Sequence, residues 1–114
     1  MNIPEELELL EFFESEPLKS SSPEEGLYFY EFTDQNGVTI VFSFHAIQES
    51  IQARLLLKGN DIALFSQEGA QRLTIEDDKS GHYLWCIFDI DGVCSDAKIK
   101  IKPNVSVTLE TLVT

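Results

Sequence analysis

Apolar and polar side chains alternate along most of the chain after residue 27. In Ala97–Lys102 every second residue is apolar, and the three residues between them are lysines. Val38–His45 places Val38, Ile40, Phe42 and Phe44 on one face of an extended segment. A period of two is typical of a β-strand with one buried face and one solvated face. The pattern therefore predicts a domain built mainly from β-strands.

Turn residues divide this region into short strands. Asn36-Gly37 is a strong hairpin signal, and Gln67–Ala70 is predicted to be a loop. Ala97–Lys102 is expected to end at Pro103, because proline cannot donate to a strand ladder. The remaining predicted strands are Leu27–Thr33, Ile51–Leu57, Ile62–Ser66, Arg72–Glu76, His82–Ile90 and Asn104–Val113. The pattern thus predicts about seven or eight short strands, mostly in an antiparallel β-meander sheet.

The first residues follow a different period, which indicates a helix. Pro4–Ser15 carries Leu7, Leu10 and Phe13 at helical spacing, and Pro17 is expected to end the helix. His82–Ile90 is apolar on both faces, so the helix is the candidate cover for its second face. The predicted class is α+β, with an N-terminal helix packed on the sheet. We expect one domain over 1–114, comprising a helical segment (1–16), a linker (17–26) and the sheet (27–114).

The net charge narrows the possible partners. The chain has a formal charge of −12 and a pI near 4.3, which disfavours binding to nucleic acid and to anionic membranes. A basic protein is the better electrostatic partner, although general acidity of a soluble protein is the alternative interpretation. Lys19 is the single basic residue in the first 31 positions. The candidate partner-binding residues in this region are Glu5, Glu8, Glu11, Glu14, Glu24 and Glu25.

The cysteines and the termini suggest where the protein acts. Cys86 and Cys94 do not form a disulfide framework, and we expect a reduced pair. The N-terminus lacks the basic start and the apolar run of a signal peptide. Apolar stretches also fall short of the roughly 20 residues of a membrane span. These features favour a cytoplasmic protein, as a monomer or weak homodimer.

Candidate chemistry is sparse. Asp89, Asp91 and Asp96 offer oxygen ligands for Ca²⁺ or Mg²⁺, although a hairpin turn explains the same residues. His45 and His82 do not lie in an acid–base or metal-ligand spacing, and Cys86 lies in an apolar strand where a thiol is inert. We therefore expect a protein that is not an enzyme and has no cofactor.

A family resemblance sharpens this interpretation. The chain carries, in order, LEFFESEP, YFYEFTDQNGVTIVFSF, SIQARLLLKGNDIALFSQEGAQRLTI, YLWCIF and KIKIKPNVSVTLETL. In this order it resembles small immunity proteins of bacterial polymorphic-toxin systems, in particular the TriTu group. The resemblance implies an α+β fold, a cytoplasmic location and the neutralisation of a cognate toxin by binding.

Two alternatives to the immunity function remain open. One is a β domain that binds a small ligand or a divalent metal through Asp89–Asp96. The other is an interaction subunit of a larger assembly, which exposed Tyr28, Tyr30 or Trp85 would favour.

Overall fold

Eight antiparallel strands follow one short helix. The computed structural model describes residues 1–79 and 81–112. The helix is α1 (Glu6–Phe13), and a single 3₁₀ turn spans Pro23–Glu25. The strands are β1 (Leu27–Thr33), β2 (Val38–His45), β3 (Ser50–Leu57), β4 (Asn60–Glu68), β5 (Ala70–Asp78), β6 (Gly81–Ile90), β7 (Val93–Lys100) and β8 (Ser106–Leu112). The predicted α+β class and the predominance of antiparallel strands are confirmed.

The strands form two sheets of four. β1 to β4 pair in chain order in sheet 1, and β5 to β8 do the same in sheet 2. The change of sheet occurs at Gly69, which has a φ of 78°. A Cβ atom there would lie 2.9 Å from the Asp89 carbonyl oxygen, so only glycine fits. The predicted loop Gln67–Ala70 is therefore wrong, because Gly69 alone separates β4 from β5.

The core lies between the inner faces of the two sheets. The alternating segments supply it as predicted: Ile40, Phe42 and Phe44 are buried on β2, and Ala97 and Ile99 on β7. Across the core, the rings of Phe65 on β4 and Phe88 on β6 lie 6.1 Å apart between centroids. The two meanders therefore pack face to face around one apolar cluster.

Helix α1 is shorter than predicted, and it packs on sheet 1 rather than over the outer face of β6. It spans Glu6–Phe13 rather than Pro4–Ser15, and it ends before Pro17 because Glu14 adopts a left-handed backbone, with a φ of 59°. Phe13 is 1% exposed and stacks on Tyr30 of β1, with ring centroids 4.8 Å apart. The helix thus packs on aromatic side chains of sheet 1.

The expectation that α1 covers the second face of β6 is wrong. Tyr83, Trp85 and Ile87 on the outer face are half-buried, while Leu84, Cys86 and Phe88 on the opposite face are fully buried. Lys98 and Lys100 lie over the Tyr83 ring, at 5.1 and 5.8 Å from its centroid. Long basic side chains from the neighbouring strand therefore shield this face.

A row of lysines such as that in Ala97–Lys102 would discourage edge-to-edge pairing if its strand lay at a sheet edge. β7 lies between β6 and β8, so Lys98 and Lys100 do not protect a sheet edge. The residue pattern also predicts a turn over Asp77–Gly81, and Ser80 of this turn lies outside the described ranges. Val113, at the predicted end of the last strand, lies outside them as well. Within the described ranges, no helix is long and apolar enough to cross a membrane.

Candidate partner-binding surface

Helix α1 presents an acidic face. Leu9, Phe12 and Phe13 anchor one side of the helix in the core, so the opposite side points to solvent. Glu5, Glu6, Glu8, Glu11 and Glu14 are all exposed. We call these five residues the helix acids. Their placement follows from the buried side of the helix, and the predicted apolar stripe is wrong at Leu7, which is 62% exposed.

Two of the helix acids also stabilise the fold. The Glu8 side chain accepts a hydrogen bond from the Glu5 backbone N–H at 3.2 Å, which caps the first turn of the helix. Glu14 forms an ion pair with Lys102, at the connection between β7 and β8. Local sequence patterns did not indicate the second contact, because these residues are 88 positions apart. Replacing Glu8 or Glu14 would therefore change the fold as well as the surface charge.

Glu24 and Glu25 lie on a different element from the helix acids. Both are exposed on the 3₁₀ turn Pro23–Glu25, which ends at Gly26 just before β1. The six predicted partner-binding glutamates are thus all accessible, but they belong to two separate segments.

A groove borders the helix acids. Its volume is about 450 Å³, and its apolar lining includes Phe12, Ile75 and Ile101. Glu8 and Glu11 line it on the helix side, and its other lining residues include His82 of β6 and Lys102 of the β7–β8 connection. Because the groove combines residues distant in sequence, local sequence patterns did not indicate it. We refer to it as the α1 groove.

The outer face of sheet 2 combines aromatic and charged side chains. The Trp85 indole N–H donates to Asp96 Oδ2 at 2.7 Å, and the Arg72 guanidinium lies 5.8 Å from the centroid of the Trp85 ring. Tryptophan, tyrosine and arginine are enriched among residues that dominate binding energy at interfaces. Strand alternation placed Trp85 and Tyr83 on the same face of the predicted strand, but the network around them requires the strand register.

The aspartates proposed as metal ligands serve the β6–β7 hairpin. Asp91 and Gly92 both have positive φ, 51° and 82°, which is typical of a type I′ turn. Asp89 Oδ1 accepts the Gly92 N–H at 3.1 Å, while Asp96 is bonded to Trp85. Among the described residues, no group of three or more His, Cys, Asp or Glu side chains is arranged to hold a metal ion. The metal site stays a prediction.

The cysteines lie on opposite faces of sheet 2. Both are free, with Cys86 buried and Cys94 exposed, which agrees with the expected reduced pair. Burial raises the pKa of the Cys86 thiol far above its ordinary value, and the Asp96 carboxylate adds to the shift. Cys86 is therefore an inert core residue.

The histidines have local roles. His45 Nδ1 accepts the Gln48 backbone N–H at 3.1 Å, and His82 forms an exposed ion pair with Asp77. Neither arrangement resembles an acid–base pair beside a nucleophile.

The tyrosines expected to be exposed in an interaction subunit are not. Tyr30 is fully buried, and its pKa is raised to about 12, first by desolvation and then by the nearby charge of Glu6. Tyr28 is half-buried and stacks on Phe44. Trp85 is half-buried as well. These aromatic side chains contribute mainly to packing in this structure.

Similarity to known proteins is limited but specific. No protein-family model matches the chain, and a comparison with curated proteins gives no match. Among solved structures, the fold matches a chain of the contact-dependent growth inhibition toxin–immunity protein complex from Klebsiella pneumoniae 342. The TM-score is 0.90, the sequences are 29% identical, and the alignment covers 97% of this chain and 96% of that chain.

The resemblance to toxin–immunity proteins is confirmed. Because the alignment spans nearly the full length of both chains, the similarity includes the helix and both sheets rather than one shared motif. The toxin–immunity similarity therefore provides the strongest lead to function.

Proposed function

We propose that this protein is an immunity protein, which binds a cognate toxin domain and neutralises it. The observation that carries this proposal is the full-length similarity to a chain of a toxin–immunity complex, at 29% identity and a TM-score of 0.90. The function requires no chemistry from this chain. It acts as a binding protein rather than an enzyme, in the cytoplasm where the toxin would otherwise act.

Of the two roles in such a complex, charge favours that of the inhibitor. A formal charge of −12 opposes contact with nucleic acid but suits a basic protein, and toxins that act on nucleic acid are usually basic. Complementary charge speeds encounter and excludes wrong partners. The cognate toxin domain is therefore basic, and it binds a monomer of this protein.

Neutralisation occurs by occlusion. The immunity protein covers the toxin's active site or a neighbouring surface, so that substrate cannot enter. We place the interface on the helix acids together with Glu24 and Glu25, because all of these carboxylates are exposed and the first 31 residues contain only one basic residue. Long-range attraction requires accessible charge, which this region provides.

The test uses the toxin domain encoded beside this protein in its native genome. The toxin is expressed under an inducible promoter with this protein, with the Glu24→Lys/Glu25→Lys double variant, or with an unrelated acidic protein. We expect this protein to restore growth, the double variant to restore it more weakly, and the unrelated acidic protein not to restore it. This protein should also form a one-to-one complex with the toxin in size-exclusion chromatography. Continued growth arrest without complex formation would overturn the proposed function.

A further inference from the structure

The α1 groove combines apolar walls with two carboxylates from the helix, Glu8 and Glu11. Its lining includes three apolar residues that belong to separate elements: Phe12 of α1, Ile75 of β5, and Ile101 after β7. Phe12 and Ile101 are almost fully buried, so they form a fixed surface rather than a mobile one. Ile75 is only half-buried, so an aliphatic stem lying beside it would remove further apolar area from water.

The charges around the groove are unbalanced. Its two basic lining residues already have acidic partners, since Lys102 pairs with Glu14 and His82 pairs with Asp77. Glu8 and Glu11 also line the groove, and neither forms an ion pair within the described part of the chain. Since they are three residues apart, they lie on the same helix face. The groove therefore has an excess of negative charge on its helix side.

Arginine fits this combination of apolar walls and carboxylates better than lysine does. Its guanidinium is weakly hydrated and planar, and it donates two parallel hydrogen bonds to a carboxylate. Its stem can meanwhile lie along apolar side chains. Lysine offers a compact, strongly hydrated charge that loses more solvation on entering a groove with apolar walls.

We propose that the α1 groove receives an arginine side chain of the toxin, with its stem against Phe12 and Ile101 and its guanidinium on Glu8 and Glu11. This inference rests on the proposed function and adds an anchoring contact to it. The remaining acidic residues act through their long-range field, whereas the groove makes a contact that must break when the complex dissociates. The two effects are therefore separable by kinetics.

The test compares two substitutions that remove the same charge. Glu11→Gln alters the groove, and Glu24→Gln alters the 3₁₀ turn outside it; neither residue forms the helix cap. Surface plasmon resonance against the toxin domain gives both rate constants. We expect Glu11→Gln to weaken the complex about tenfold or more, mainly through faster dissociation, and Glu24→Gln to change affinity less than about threefold.

A double-mutant cycle then identifies the occupant. Each surface arginine of the toxin is replaced by lysine, and each variant is measured against the unmodified protein and against Glu11→Gln. The inference would be supported by one toxin arginine whose replacement weakens binding to the unmodified protein but has little further effect on binding to Glu11→Gln. Absence of coupling between Glu11→Gln and every toxin arginine would overturn it.

These outcomes are distinct from failure of the proposed function. If the unmodified protein neither binds nor neutralises the toxin, the immunity function itself is wrong. If it neutralises the toxin and Glu11→Gln does so equally well, with equal affinity, only the groove assignment is wrong. Circular dichroism of Glu11→Gln confirms that α1 is retained.

Discussion

The Asp34 carboxylate links the two sheets through the backbone of Val105. Its Oδ2 atom accepts the Val105 N–H at 2.8 Å, while its Oδ1 atom accepts the N–H groups of Asn36 and Val38 at 2.9 and 3.0 Å. Asp34 lies in the β1–β2 turn of sheet 1, and Val105 directly precedes β8 of sheet 2. One side chain thus shapes a hairpin turn and attaches it to the opposite meander.

Removing this carboxylate should destabilise the fold. Asp34→Ala removes three hydrogen bonds to a charged group and leaves three backbone N–H donors without their acceptor. We therefore expect a loss of about 2–4 kcal/mol in the free energy of unfolding. Urea denaturation measures the loss. Asp61→Ala is the matched control, because its ion pair with Arg54 is exposed and should contribute much less. Equal losses in the two variants would show that the link between the sheets is not stabilising.

The contribution of Asp34 should also depend on pH. The pKa of Asp34 lies below its ordinary value of 3.8, chiefly because the Val105 N–H donates to the ionised form. A lowered pKa in the folded state stabilises the protein fully above about pH 4, where the unfolded chain is ionised as well. This stabilisation is lost as the pH falls through the lowered pKa.

We therefore expect the stability difference between the unmodified protein and Asp34→Asn to shrink between about pH 4 and pH 2. Urea denaturation over this range measures it, with both proteins under the same salt conditions. A difference that stays constant down to pH 2 would contradict the assignment.

Local patterns predicted the elements but not their arrangement in space. The alternation in β2 and β7 identified the buried residues correctly, because a period of two depends only on neighbouring positions. The division into two sheets depends on Gly69, whose constraint comes from the distant Asp89 backbone. A glycine at position 69 is compatible with a surface loop as well as with a change of sheet, so the sequence pattern did not separate the two.

The candidate site was predictable to a similar extent. The acidic residues of α1 were recognised from composition and helical spacing, and the structure exposes them all. The groove was not recognised, because Phe12, Ile75 and Ile101 come together only when α1 docks against both sheets. The pairing of Glu14 with Lys102 was missed for the same reason.

Helix α1 should behave as part of the core rather than as a mobile arm. Phe13 is 1% exposed and contacts both Tyr30 and Phe42, so Phe13→Ala should cost about 3–5 kcal/mol of stability. Leu7 on the same helix is 62% exposed, and Leu7→Ala should change stability by less than about 0.5 kcal/mol. Chemical denaturation of both variants tests the contrast, and a loss below about 1 kcal/mol for Phe13→Ala would show that α1 does not dock firmly.

The two thiols should differ in reactivity. Cys94 is exposed and Cys86 is buried with a raised pKa, so a thiol reagent should label one cysteine in the native protein and both in denaturant. Mass spectrometry of the labelled protein counts the modified sites, and Cys94→Ser should abolish native labelling. Rapid labelling of Cys86 under native conditions would mean that sheet 2 opens readily.

Charge steering is best tested on the 3₁₀ turn rather than on the helix. Reversing Glu8 would remove the cap of α1 and place a positive charge at the positive end of the helix dipole, so a weaker complex could reflect a weaker helix. Glu24 and Glu25 are exposed and make no ion pair within the described residues, which makes Glu24→Lys/Glu25→Lys the cleaner variant.

We expect this double reversal to slow association with the toxin several-fold at low salt, with little change in dissociation. The difference from the unmodified protein should vanish as ionic strength rises, because exposed charges are screened beyond about 10 Å at 0.1 M salt. Stopped-flow association at several salt concentrations measures this effect, and unchanged melting temperatures confirm that the fold is intact. If the double variant associates as fast as the unmodified protein at low salt, Glu24 and Glu25 do not face the incoming toxin. The interface must then lie on another face, such as that of Trp85 on sheet 2.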